Sequence, residues 1–141
     1  MDPLSIIGLV TAVQQVADRT LVVIVKCSNY ISGVKDARPR SEELQHELQT
    51  LIRILHEIAG FISEDSIPSL TEHLLNSVTD FNQVLDKLEE KVQPNSVKGF
   101  RRLLWPFGED EIQRILQKIE RSKSNFNLAL HLYQSFEPFM Y

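Results

Sequence analysis

Apolar residues recur every three or four positions along most of the chain. That is the spacing of one face of an α-helix and not the alternation of a half-buried strand. Leu44, Leu48, Leu51, Ile52, Leu55, Ala59 and Ile62 form one such stripe. It begins after Arg38-Pro39-Arg40, where Ser41 reads as a cap followed by the acids Glu42 and Glu43. Each acid in a first turn stabilises through the helix dipole by about 0.3–1 kcal/mol. Gly60 lies near the end of this segment, and Ser63–Pro68 reads as a loop. Leu70, Leu74, Val78, Phe81, Leu85, Leu88 and Val92 make a second stripe, stopped by Pro94-Asn95. The third comprises Ile112, Ile115, Leu116, Ile119, Phe126, Ala129, Leu130 and Tyr133. It opens at Gly108 with the acids Glu109, Asp110 and Glu111, and Pro138 sets its outer limit. Ser96–Phe107 is a connector of mixed character in which a short helical element is expected.

The first segment, Pro3 to about Val34, is different. Over its first 25 residues no clean polar face exists. Pro3 suits a first helical turn and Asp2 its cap. Gly8 and the β-branched run Val22–Val25 weaken helix propensity, so strand is the rival reading for Leu21–Val25. Nothing else in the sequence offers such a strand a partner. The expectation is a long helix, buried on most sides, with a kink or break allowed. The uncharged run Pro3–Ala17 is 15 residues long before Asp18 and Arg19 interrupt it. About 18–20 residues are needed to span hydrocarbon, so a constitutive transmembrane helix is not expected. No positive n-region precedes the apolar run, so no cleavable signal peptide is expected either.

Four helices of about 25 residues joined by short loops predict an all-α, antiparallel bundle with a short helical connector before the last helix, in one domain spanning 1–141. Composition agrees. Of the 141 residues, 43% are hydrophobic and 24% charged, and only 5 Gly and 6 Pro are present, too few turn residues for a sandwich or barrel. Three amphipathic stripes can close a core. The first segment either sits in the middle of the bundle or meets something beyond this chain.

Candidate chemistry is sparse. Net charge is −4, with 15 basic and 19 acidic residues, so no nucleic-acid partner is expected. The single Cys27 excludes an internal disulfide framework and fits a reducing compartment. His46, His56, His73 and His131 are too far apart in sequence to form a helical ligand pair. No nucleophile motif or phosphate loop occurs. No catalytic residue, cofactor or metal is therefore expected, and an enzyme is not. Lys98, Arg101 and Arg102 lie beside Trp105 and Phe107. The plain reading makes Trp105 a buried plug at one end of the bundle. The sharper one makes Lys98, Arg101, Arg102 and Trp105 an interfacial patch on lipid headgroups.

The opening Met1-Asp2-Pro3-Leu4-Ser5-Ile6-Ile7-Gly8-Leu9-Val10-Thr11-Ala12 resembles the start of the fungal HeLo-like N-terminal domains found ahead of NACHT-type receptor modules and ankyrin arrays. Arg101-Arg102-Leu103-Leu104-Trp105-Pro106-Phe107, leading into Glu109–Ile119, is similar to a recurrent run before that family's final helix. The resemblance implies a bundle related to the HET-S N-terminal domain and to the four-helix domains of mixed-lineage kinase-like pseudokinases. It further implies a cytoplasmic effector of programmed cell death and innate immunity. Such a domain self-associates on activation, moves to the plasma membrane and permeabilises it. Its implied partners are further copies of itself, membrane lipids including anionic ones, and a downstream receptor module of the same polypeptide. The residues onto which membrane activity and oligomerisation carry over are Leu4, Ile6, Ile7, Gly8, Leu9, Val10, Val13 and Val16, within an apolar stretch reaching Val25. The alternative is a soluble oligomerisation or adaptor module without membrane activity.

Overall fold

The computed structural model describes residues 3–31, 38–63, 68–92 and 107–136. They form four helices: α1 (Pro3–Ile31), α2 (Arg38–Phe61), α3 (Pro68–Val92) and α4 (Glu109–Phe136). No strand occurs among the described residues, and the helices pack on one another as an all-α four-helix bundle.

Cross-helix side-chain pairs define the arrangement. Arg19 and Lys26 of α1 meet Asp86 and Glu89 of α3 in ascending order, so these two helices run parallel. Arg40 with Glu109, and Glu47 with Lys123, make α2 and α4 parallel in the same way. Lys91 with Glu111 and Phe81 with Phe126 run in opposite order, so α3 and α4 are antiparallel. Helices consecutive in sequence therefore alternate in direction, as short loops require. Around the bundle, however, the order is α1, α2, α4, α3, and the α2-to-α3 connection crosses the diagonal.

The stripes bury as their spacing predicts. Leu44, Leu48, Leu51, Leu55, Leu74, Phe81, Leu85, Leu88, Ile112, Ile119 and Phe126 are all inaccessible to solvent. Phe81 and Phe126 meet edge to face, with centroids 6.0 Å apart and planes at 79°. The quadrupole of one ring favours the edge of the other in this geometry. Ile54, Ile58, Val84 and Ser122 widen the buried faces beyond the stripes read from sequence. A helix with two buried neighbours needs a broader apolar arc than one with a single partner.

Two expectations are corrected. Ser41 does not cap α2: the helix starts at Arg38, and Ser41 is buried inside it. The start falls where Pro39 is tolerated, in the first turn, whose N–H groups have no intrahelical acceptor. Leu21–Val25 is helical, as the long-helix reading expects, within an unbroken 29-residue α1, and the rival strand does not form. Finally, α1 is not buried on most sides. It occupies a corner between α2 and α3, and Ile7, Leu21, Val22 and Val25 are 49–62% exposed. At the start of α4 the Gly108 carbonyl accepts from the Ile112 N–H at 2.9 Å, so Gly108 caps the helix ahead of its three acids, and Phe107 beside it is buried. The connector element expected in Ser96–Trp105 lies outside the described residues.

Phe81→Ala should destabilise the fold by about 3–5 kcal/mol, the range for emptying a large aromatic core site. Leu75→Ala, at an exposed position of the same helix, should change stability by less than about 0.5 kcal/mol. Urea unfolding followed by circular dichroism measures both.

A candidate membrane-active helix and its polar clasp

A helix at a bundle corner hides one line of side chains. On α1 that line is Leu9, Val13, Val16, Ala17, Thr20, Val23, Ile24 and Cys27, every one of them buried. Their spacing of three and four residues puts them on one face. The Thr20 hydroxyl donates to the Val16 carbonyl at 2.6 Å, which satisfies a polar group placed in that apolar line.

The opposite face is unusual. At matching spacing it carries Ile7, Thr11, Gln14, Asp18, Leu21, Val22 and Val25, all exposed. Its C-terminal half is thus an exposed aliphatic cluster of Leu21, Val22 and Val25. The span Ile6–Asn29 holds 24 residues and reaches a mean hydropathy of 1.4 within it, long and apolar enough to cross a membrane by length and composition, while only 33% is buried.

The residues singled out from sequence divide between these faces. Leu9, Val13 and Val16 point into the core, Ile6 and Val10 are half-buried, and Ile7 and Gly8 are exposed. A side chain built at Gly8 would meet nothing within 4 Å. Leu4 falls in the first turn of α1, and its side chain lies outside the described residues. Lys98, Arg101, Arg102 and Trp105 also lie outside them. The exposed cluster Leu21, Val22 and Val25 falls at the C-terminal end of the Leu4–Val25 stretch read from sequence, beyond the residues named individually there. Its signal was the run Leu21–Val25 itself, five consecutive apolar residues, more than one buried face of a helix can absorb.

α1 is held to α3 by charge. Arg19 Nε donates to Glu89 Oε1 at 3.0 Å. Its Nη1 donates to the Asn82 side-chain oxygen at 2.9 Å and to the Asn82 main-chain oxygen at 3.2 Å, and Nη2 donates to Asp86. Lys26 Nζ donates to Glu89 Oε2 at 3.1 Å. The guanidinium fork suits such multiple contacts, and one side chain reaches three successive turns of α3. Glu89 is only 21% exposed. Burial pushes its carboxyl up, but the hydrogen bonds from Lys26 and Arg19 outweigh this and leave it below the ordinary carboxylate range. Cys27, one helical position from Lys26 and buried, has its thiol pushed up to about 12, by burial first and then by the charge of Glu89. At neutral pH it is a protonated, unreactive packing residue.

Among the described residues no group of three or more His, Cys, Asp or Glu side chains is arranged to hold a metal ion. His46, His56 and His131 are exposed, and His73 Nε2 lies 3.4 Å from the Asn125 main-chain oxygen.

The lowered carboxyl of Glu89 fixes a sign. The unfolded chain takes up the proton first as pH falls, so the contribution of Glu89 is present above the unfolded value and is lost as pH drops through the folded one. Glu89→Gln should therefore be less stable than wild type by about 1–2 kcal/mol at neutral pH, and the gap should close as pH falls through the carboxyl's folded-state value. Urea titrations at several pH values measure it.

Comparison with family models, with curated proteins and with solved structures found no match.

Proposed function

We propose that this bundle is the N-terminal effector domain of a fungal immune-type receptor, which clusters and then permeabilises membranes through α1 in regulated cell death. The observation that carries the reading is α1 itself. It is long and apolar enough to span a bilayer, yet it is one-third buried and presents Leu21, Val22 and Val25 to the outside. The receptor setting rests on the resemblance of residues 1–12 and 101–107.

The charges on α1 supply the regulation. Asp18 and Arg19 sit at the middle of Ile6–Asn29. A charge at the bilayer centre costs about 2.5–3.5 kcal/mol on translocon scales, so one copy of α1 does not insert readily. Several copies side by side can pair Asp18 of one with Arg19 of the next, which makes insertion depend on clustering. In the resting bundle Arg19 is occupied by Asp86, Glu89 and Asn82, and those contacts hold α1 in place.

Dye release from anionic liposomes, with the domain clustered through a fused inducible dimeriser, tests the reading. Val22→Glu should abolish release while shifting stability by less than about 0.5 kcal/mol, because the site is half exposed. Gly8→Arg should act in the same direction. Arg19→Gln should lower the protein concentration needed for release. Maleimide labelling of Cys27 reports departure of α1 directly, since the thiol is buried while α1 is docked. Labelling should accelerate at least about tenfold on liposomes and stay slow in buffer. Folded Val22→Glu protein that releases dye like wild type would remove the insertion mechanism and leave the soluble adaptor module as the better account.

A further inference from the structure

The outward line of α1 runs through Thr11, Gln15, Asp18, Val22, Val25 and Asn29, all of them exposed. Their alternating spacing of four and three residues is that of a helix seam that meets one other helix. α1 carries only three charges, Asp18, Arg19 and Lys26. Arg19 directs all of its nitrogens at α3, through Glu89, Asn82 and Asp86. Lys26 gives one hydrogen bond to Glu89, is 46% exposed, and keeps two N–H groups for another acceptor. Asp18 makes no ion pair with another described residue. The outward face thus presents one acid and one base that still has donors to give.

These two charges are placed symmetrically. Asp18 stands one turn before Val22, and Lys26 stands one turn after it. Consider a second α1 laid against the first in the opposite direction, on a two-fold axis through Val22. Each residue then faces the one equally far on the other side of Val22 in the second copy. Val22 meets the partner's Val22, and Asp18 meets the partner's Lys26 twice over, because an isologous contact repeats every pair. Val25 falls on the methylene stem of the partner's Arg19, whose guanidinium stays with its own α3. Gln15 falls opposite the partner's Asn29, amide against amide. A second copy laid in the same direction and register would set Asp18 on Asp18 and Lys26 on Lys26. Like charges across a contact are costly, so the charge pattern selects the antiparallel arrangement.

We propose that the outward face of α1 pairs with a second copy of this chain, as an antiparallel two-fold dimer centred on Val22. The dimer is a resting arrangement that covers Val22 and Val25 while α1 is docked. It differs from a cluster in which Asp18 meets Arg19, because here Arg19 is held by Asp86 and Glu89 of its own chain. It needs only the docked face of α1, so it stands or falls apart from membrane permeabilisation. One helix crossing one helix covers little surface, which places the dimer among weak interfaces of less than about 1,200 Å² in total. Helix axes about 8–10 Å apart at the crossing bring the two Val22 main chains within disulfide reach.

Sedimentation equilibrium in lipid-free buffer reads the association, and cysteine cross-linking reads its geometry. A reversible monomer–dimer equilibrium without larger species is expected. Val22→Cys should cross-link to itself under mild oxidation. Native Cys27 does not interfere, since it is buried and its thiol is pushed up to about 12. Ile7→Cys should not cross-link, although Ile7 is 62% exposed and Val22 only 49%. Ile7 lies about 22 Å along the helix from Val22, so antiparallel pairing holds the two copies of it about 45 Å apart. Asp18→Lys should weaken dimerisation by about tenfold or more, and Lys26→Glu added to it should bring the affinity back to within about threefold. Circular dichroism checks that each variant is folded. If the double variant is not, the cross-linking pattern decides, because it is read with both charges in place. Three results overturn the proposal: a wild-type protein that stays monomeric up to about 1 mM, Asp18→Lys protein that dimerises like wild type, or Ile7→Cys that cross-links as fast as Val22→Cys, which would mean a parallel or non-specific contact. Dye release from liposomes by a protein that stays monomeric in buffer would sink the dimer and leave the membrane reading intact.

Discussion

Leu9, Val13, Val16, Ala17, Val23 and Cys27 must leave water together, and a single helix can hide them only by lying against two neighbours at once. α1 does so in the corner between α2 and α3, and the rest of the bundle follows from that seat. With α1 beside α3, the fourth helix has to close against α2 and α3 from the far side. The Phe81–Phe126 contact stands where it does so. The diagonal passage from α2 to α3 is the topological consequence. It makes α1 and α3 parallel neighbours, which brings Arg19 and Lys26 level with Asp86 and Glu89.

Holding α1 by polar contacts as well as burial has a functional side. Apolar packing is nearly indifferent to pH and salt, whereas the Arg19–Glu89–Lys26 cluster responds to both. Burial of Cys27, Val23 and Ile24 gives the seat its depth, and the cluster gives it orientation, because a guanidinium reaching three turns of α3 admits one rotation of α1. That rotation is the one that turns Leu21, Val22 and Val25 outward. The same contacts that fix α1 thus also decide which of its apolar residues face outward.

Periodicity along the chain was enough to determine four helices, their all-α class and most of the buried residues. Leu44, Leu74, Phe81, Ile112 and Phe126 were legible because each lies on a stripe whose opposite face is charged. α1 was not legible in the same way, because its two faces are both apolar and a hydrophobic pattern records no difference between a buried valine and an exposed one. Only packing against α2 and α3 decided that Val13 and Val23 face inward while Val22 and Val25 face solvent. Ser41 was misassigned as a cap for a related reason: local preference favours serine at a helix start, but Arg38-Pro39 opens the helix a turn earlier, and Ser41 is carried into the buried side. The clasp is tertiary in origin, since Arg19 and Glu89 are separated by 70 positions. The spacing of side chains along one helix face follows from the sequence, but the level at which two faces meet is set by how the helices slide and cross when their cores interlock.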